Sequence, residues 1–168
     1  VQLPVREQYF QMEISGPTED LEGGVPNPVP ADTGQLTDPK ENMGMCAYLI
    51  RLVAIWGRVI KFMNLGGKER ESHPTWSPQS TFHAIKTETQ MWKSSLPPRL
   101  HYNAKNLEDH AVERTANQFL YVHILYYQII LFMNRFALPS IAGTRPPKDM
   151  PREFLTESAR TALDAANQ

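Results

Sequence analysis

The side chains in this sequence best suited to chemistry are five histidines, at 73, 83, 101, 110 and 123, and one thiol, Cys46. A structural zinc site draws its donors in closely spaced pairs, cysteines in a knuckle or histidines three to five apart. No two of these histidines share a helix face at such spacing, and one thiol supplies no sulfur set. No metal ligand is assigned in this chain. Cys46 adjoins an apolar helical stretch, reads as a small buried hydrophobe, and fits a reducing compartment because it has no intrachain partner.

Covalent catalysis has no better support. Ser80, Ser140 and Ser158 lack the flanking glycines of a nucleophile elbow. Asp109 and His110 are adjacent, and adjacent helical residues point in different directions. Gly66-Gly67 ends a helix instead of opening one, the wrong polarity for cradling a phosphate. A helical biosynthetic enzyme with an apolar pocket would want acidic clusters, and Glu108-Asp109 is the nearest approach. That enzyme and a plain helical scaffold are the rival readings; no catalytic residue is assigned.

His123 is the polar residue of most interest, lying in the apolar heart of a long helix. It reads either as a buried histidine with one satisfied hydrogen bond or as the gatekeeper of an effector pocket. Tyr126 and Tyr127, with Tyr121, would line such a pocket or simply pack. Arg51, Arg58 and Lys61 form a basic helix face, either solvated or docking another domain of the same polypeptide.

Four helices must position these groups. The first covers about 42–65, where Leu49, Leu52, Val53, Trp56, Val59, Ile60 and Met63 recur at three- and four-residue steps. Gly66 and Gly67 supply its stop. A second covers 78–96, with Ser77 as N-cap, Pro78 in first position, and Phe82, Ile85 and Trp92 facing inward. The third, about 106–136, is apolar on every side from Phe119 onward and must be enclosed by other helices. The last, 151–168, begins at Pro151 and turns Phe154, Ala159 or Ala162, Leu163 and Ala166 inward.

Residues 1–41 hold six prolines, four glycines and eight acidic residues against Arg6 and Lys40. They read as an extended loop or linker, disordered over about 15–41 and including VPNPVPADTG at 25–34. Residues 42–168 carry fifteen basic and ten acidic residues in mixed order, no run that would mark a nucleic-acid surface. The formal net charge of −1 agrees. The chain opens on Val1 with no apolar region behind a basic start, so it reads as a fragment or processed product without a signal peptide. The apolar run 119–133 is too short for a membrane span, which takes about 20 residues.

Three stretches together resemble the fungal-specific transcription factor domain, the middle homology region of zinc-cluster regulators. They are VQLPVREQYF at 1–10, YLIRLVAIWGRVIKFMNLGG at 48–67, and WKSSLPPRL at 92–100 coupled with NQFLYVHILYYQIILFMNRFALP at 117–139. The matching positions are Arg51, Trp56, Gly57, Arg58, Trp92, Phe119, His123 and Arg135. The resemblance implies a nuclear regulator of RNA polymerase II transcription that is not an enzyme. It implies DNA binding through an N-terminal six-cysteine binuclear zinc cluster absent from this chain. It also implies contacts with the rest of the same polypeptide, co-regulators or a small-molecule effector. The expected fold is all-α, an irregular multi-helix bundle around the 106–136 helix, corresponding to the C-terminal part of that region. The family's earlier helices would cover part of that helix.

Overall fold

A computed structural model describes residues 1–14, 16–24, 38–138 and 146–168. Among the described residues the fold is all-α, with no β-strand. Its helices are α1 (Glu7–Gln11), α2 (Pro39–Asn42), α3 (Met45–Asn64), α4 (Thr81–Ser94), α5 (Ala104–Val112), α6 (Ala116–Asn134) and α7 (Arg152–Ala166). Short 3-10 turns occupy Lys68–Arg70, Pro98–Leu100 and Arg135–Ala137. The chain forms two compact units: Val1–Val53 with Ser94–Val122, and Ala54–Lys93 with His123–Gln168.

In the first unit the N-terminal segment is folded, not a free linker. Gln2 and Val5 make isolated antiparallel bridges to Asp20 and Met43. Leu3 and Thr18 are buried, the Thr18 hydroxyl donating to the Leu3 carbonyl. The loop reading of 1–41 is corrected in this respect, and α1 lies within it; the Pro-rich stretch 25–34 lies outside the described residues. The helix expected from Asn42 starts instead at Met45. A Cβ on Gly44 would sit 2.8 Å from the Val5 carbonyl oxygen and 3.0 Å from the Arg6 Cα. Only glycine lets the two backbone segments approach so closely.

The single helix expected over 106–136 is two. Arg114 adopts φ 59°, and the Thr115 N–H donates to the His110 carbonyl at 2.8 Å. The His110 Nδ1 and Thr115 Oγ1 share a second hydrogen bond, also 2.8 Å. A left-handed residue with no glycine or proline beside it left no conventional breaker to read. Pro139, expected to close this helix, lies outside the described residues.

The buried line along α3 is Met45, Tyr48, Leu52, Ile55, Val59 and Phe62, at alternating steps of three and four. The stripe expected from Leu49 to Met63 is thus rotated from the true one, and Val53 is 49% exposed. Apolar residues occur on both faces, so periodicity alone left two registers open. On α6, Phe119, Val122, His123, Leu125, Tyr126, Ile129 and Met133 are buried, while Tyr121 and Ile124 are exposed. Enclosure on every side is therefore corrected for these two positions.

In the second unit three phenylalanines form a mutual cluster. Phe82 of α4 meets Phe136 and Phe154 edge-on at 5.9 and 5.8 Å, and the latter two stack at 6.0 Å. Such ring pairs add about 0.5–1.5 kcal/mol beyond area burial. On α7 the buried residues are Ser158 and Ala162, whereas Leu163 is exposed. The α4 start also shifts: Ser80, not Ser77, caps it, its Oγ accepting from the His83 N–H at 3.1 Å. Ser77 and Pro78 build the preceding turn, where Ser77 Oγ accepts from the Gln79 N–H. After α3, Gly66 takes φ +77°, and a Cβ on Gly67 would lie 2.6 Å from the Phe62 Cα.

Candidate interaction and effector sites

In the first unit Arg51 is fastened to the N-terminal segment. It pairs with the Glu19 carboxylate at 2.9 Å and donates to the Asp20 carbonyl at 2.6 Å. Both charged side chains are largely buried, at 14% and 15% exposure. Cutting one partner of so shielded a pair leaves an uncompensated charge. Arg51 therefore does not share a solvated face with Arg58, which is half exposed and paired with Glu88 in the second unit, or with exposed Lys61. Beside this pair, burial pushes the Tyr48 phenol up to about 12.

Phe119 is 1% exposed and stacks on the His110 imidazole at 4.5 Å and on Tyr102 at 6.0 Å. His110 also meets the Arg99 carbonyl through Nε2 at 3.3 Å. These contacts place Phe119 at the core of the first unit.

The second unit holds a further set of packed aromatic side chains. Trp92 is buried and stacks on Tyr126 at 5.5 Å, and Tyr127 meets Tyr126 edge-on at 5.2 Å. The Lys93 ammonium lies over both tyrosine rings, at 5.4 and 5.7 Å. Burial, with a smaller contribution from Tyr127, raises the Tyr126 phenol to about 12, so it stays protonated at neutral pH. His123 is buried. Trp56 meets Phe132 edge-on at 5.1 Å, and the Arg135 guanidinium covers that same ring at 3.7 Å. Gly57 is exposed, with nothing within 4 Å of an added Cβ; it serves no close approach.

Sequence reasoning missed a cleft in the first unit. It has a volume of about 610 Å³ and is bounded by Arg6, Met45, Arg99, Leu100, His110 and Gln118, among others. Arg6 pairs with Glu41 at 2.8 Å. Arg99 donates to the Met43 carbonyl at 2.7 Å and makes no ion pair among the described residues. Burial first, and Arg6 second, hold the Arg99 guanidinium below its ordinary value. The Nε–H groups of both arginines are buried without an acceptor among the described residues, and each unmet charged donor costs at least about 1–3 kcal/mol. A signal for this cleft was present. Leu3-Pro4-Val5-Arg6 and Leu96-Pro97-Pro98-Arg99 repeat one pattern, a buried leucine, a proline and an arginine three residues on.

Among the described residues no group of three or more His, Cys, Asp or Glu is arranged to hold a metal. No helix of the described residues is long and apolar enough to cross a membrane.

No protein-family model matches the chain, and no solved structure matches it. Curated relatives do. The chain is 38% identical, over 99% of its length, to Zn(2)-C6 fungal-type transcription factor FTF1c of Fusarium oxysporum f. sp. lycopersici, covering 17% of that protein. It is 32% identical, again over 99% of its length, to an uncharacterized transcriptional regulatory protein of Schizosaccharomyces pombe, covering 22% of it. Another such regulatory protein of that yeast is 37% identical over 80% of the chain and 14% of its own length. The chain is therefore a region of a zinc-cluster transcription factor, spanning about a fifth or less of these relatives.

The zinc cluster in that family name needs cysteine thiolates in number. This chain has one, Cys46, which is free and exposed, not buried as its surroundings in the sequence suggest. These residues do not fit such a cluster.

Proposed function

We propose that this chain is the regulatory, middle homology region of a fungal DNA-binding factor that controls RNA polymerase II transcription in the nucleus. It is non-catalytic and tunes activity through contacts with the rest of its polypeptide, with co-regulators or with an effector. DNA binding and zinc belong to a separate module of the complete protein. The observation that carries this reading is the 38% identity to a zinc-cluster factor over nearly the whole chain. The all-helical class agrees with that reading.

His123→Leu in the complete protein tests the reading, because the substitution keeps an apolar core filled while removing a polar group. Reporter transcription is expected to change more than the thermal unfolding midpoint does. Equal loss of folded protein and transcription overturns a regulatory role for that position.

A further inference from the structure

We propose that the cleft between Arg6 and Arg99 is a binding site for a small carboxylate metabolite whose carboxyl group becomes the counter-ion of Arg99. This goes beyond the regulatory reading and lies at a different place from His123, Tyr126 and Tyr127.

Arg99 is the anomaly that carries the inference. It is half-buried, feels the Arg6 charge against it and the more distant Glu41 and Glu7 carboxylates in its favour, and makes no direct ion pair among the described residues. Its one described side-chain bond goes to a backbone carbonyl. Burying a cation without a partner is costly, and chains avoid it unless something else supplies the charge. Arg6, by contrast, already holds Glu41. In direct contact, one guanidinium thus has a carboxylate and the other a carbonyl.

The cleft's size suits a metabolite, since small-molecule sites run to about 300–1,000 Å³. Its walls combine the two arginines with the apolar Met45 and Leu100 and with the amides of Asn106 and Gln118. That mixture grips a carbon skeleton while orienting polar ends. Carboxylate is favoured over phosphate because Glu7, Asp109 and Glu113 also line the cleft. Phosphate would concentrate up to two negative charges at one centre beside them, whereas a carboxylate brings one to the end of a carbon chain. A planar guanidinium matches a carboxylate through two parallel hydrogen bonds, which a lysine does not reproduce. The backbone leading into each arginine is stiff. Pro4 and Pro97-Pro98 precede the arginines, and the leucines before them, Leu3 and Leu96, are buried.

Calorimetric titration and thermal unfolding of the complete protein test the site. The probes are succinate, its uncharged diamide succinamide, and inorganic phosphate, at matched ionic strength. Succinate is expected to bind and raise the unfolding midpoint, with succinamide inactive and phosphate at least tenfold weaker. Arg99→Gln is expected to weaken succinate at least tenfold while leaving the unliganded midpoint unchanged or higher. Should that variant fail to fold, Gln118→Trp, which fills the cleft from an exposed position, is expected to abolish succinate binding. No binding by succinate, equal binding by succinamide or phosphate, or full binding by a folded Arg99→Gln or Gln118→Trp overturns the proposal.

Discussion

The His110 imidazole lies stacked on the Phe119 ring, 4.5 Å between centroids and 24° from parallel, across the turn that separates α5 from α6. The same imidazole holds Thr115 through Nδ1. One side chain therefore fixes both the chain reversal and the packing of the next helix. Phe119→Ala is expected to lower the unfolding free energy by about 3–5 kcal/mol, the usual cost of emptying a core aromatic site. His110→Ala should cost less. The double variant should reveal a coupling of about 0.5–1.5 kcal/mol in urea denaturation; strict additivity would show that the stack contributes nothing.

Two glycines of the α3 region make opposite predictions. Gly67→Ala drives a Cβ to 2.6 Å from the Phe62 Cα, a backbone clash with no flexible atom to yield. It should destabilise by more than about 1 kcal/mol. Gly57→Ala meets nothing within 4 Å inside a regular helix, and should stabilise by about 0.5–1 kcal/mol. Thermal unfolding of the two variants checks both signs. A folded Gly57→Ala protein with altered transcription would locate a partner contact at that exposed position.

The α4 N-terminus is capped twice, which yields a pH dependence. Ser80 Oγ accepts from His83, and the Glu71 carboxylate accepts from the Thr81 N–H at 2.7 Å. Ser80→Ala should cost about 1 kcal/mol. Hydrogen bonds from Thr81, side chain first and backbone second, hold the Glu71 carboxyl below its ordinary 4.5. A carboxyl lowered on folding stabilises fully above its unfolded value and loses that contribution as pH falls through the folded one. Glu71→Gln should therefore flatten the stability profile below about pH 4.5 and leave its shape at neutral pH alone. An unchanged acid limb would mean that the Glu71 carboxylate adds nothing as a cap.

The helical class was legible because long 3.6-residue periodicity and Pro or Gly ends survive in sequence: α3, α4 and α7 are all where such signals place them, to within a few residues, although four helices were expected and seven are described. Faces were less legible. α3 is apolar on two sides, so its buried line through Tyr48, Ile55 and Phe62 competed with one through Leu49, Trp56 and Met63. The α5–α6 break was hidden because a left-handed arginine makes it. Only the Thr115-x-x-Gln118 pattern, a capping-box signature, hinted at a new helix start. The Arg6–Arg99 cleft was missed for a different reason: its two arginines are 93 positions apart in the chain, and only a repeated local pattern links them. Their shared Leu-Pro-x-Arg pattern becomes meaningful only when the fold brings them to one cleft.

The regulatory account is tested most directly on the exposed line of α3 in the first unit, where Ile50 and Val53 are 40% and 49% exposed beside exposed Cys46. Isolated surface apolar residues are ordinary, but a helical line of them is the kind of surface a partner covers. The measurement is promoter occupancy and transcript output, taken together, for the complete protein carrying Ile50→Ser and Val53→Ser. Occupancy is expected to hold while output shifts about fivefold or more, the range of a typical coupling between sites. Occupancy and output that fall in parallel, or that both stay at the parental level, would contradict a regulatory role for this region.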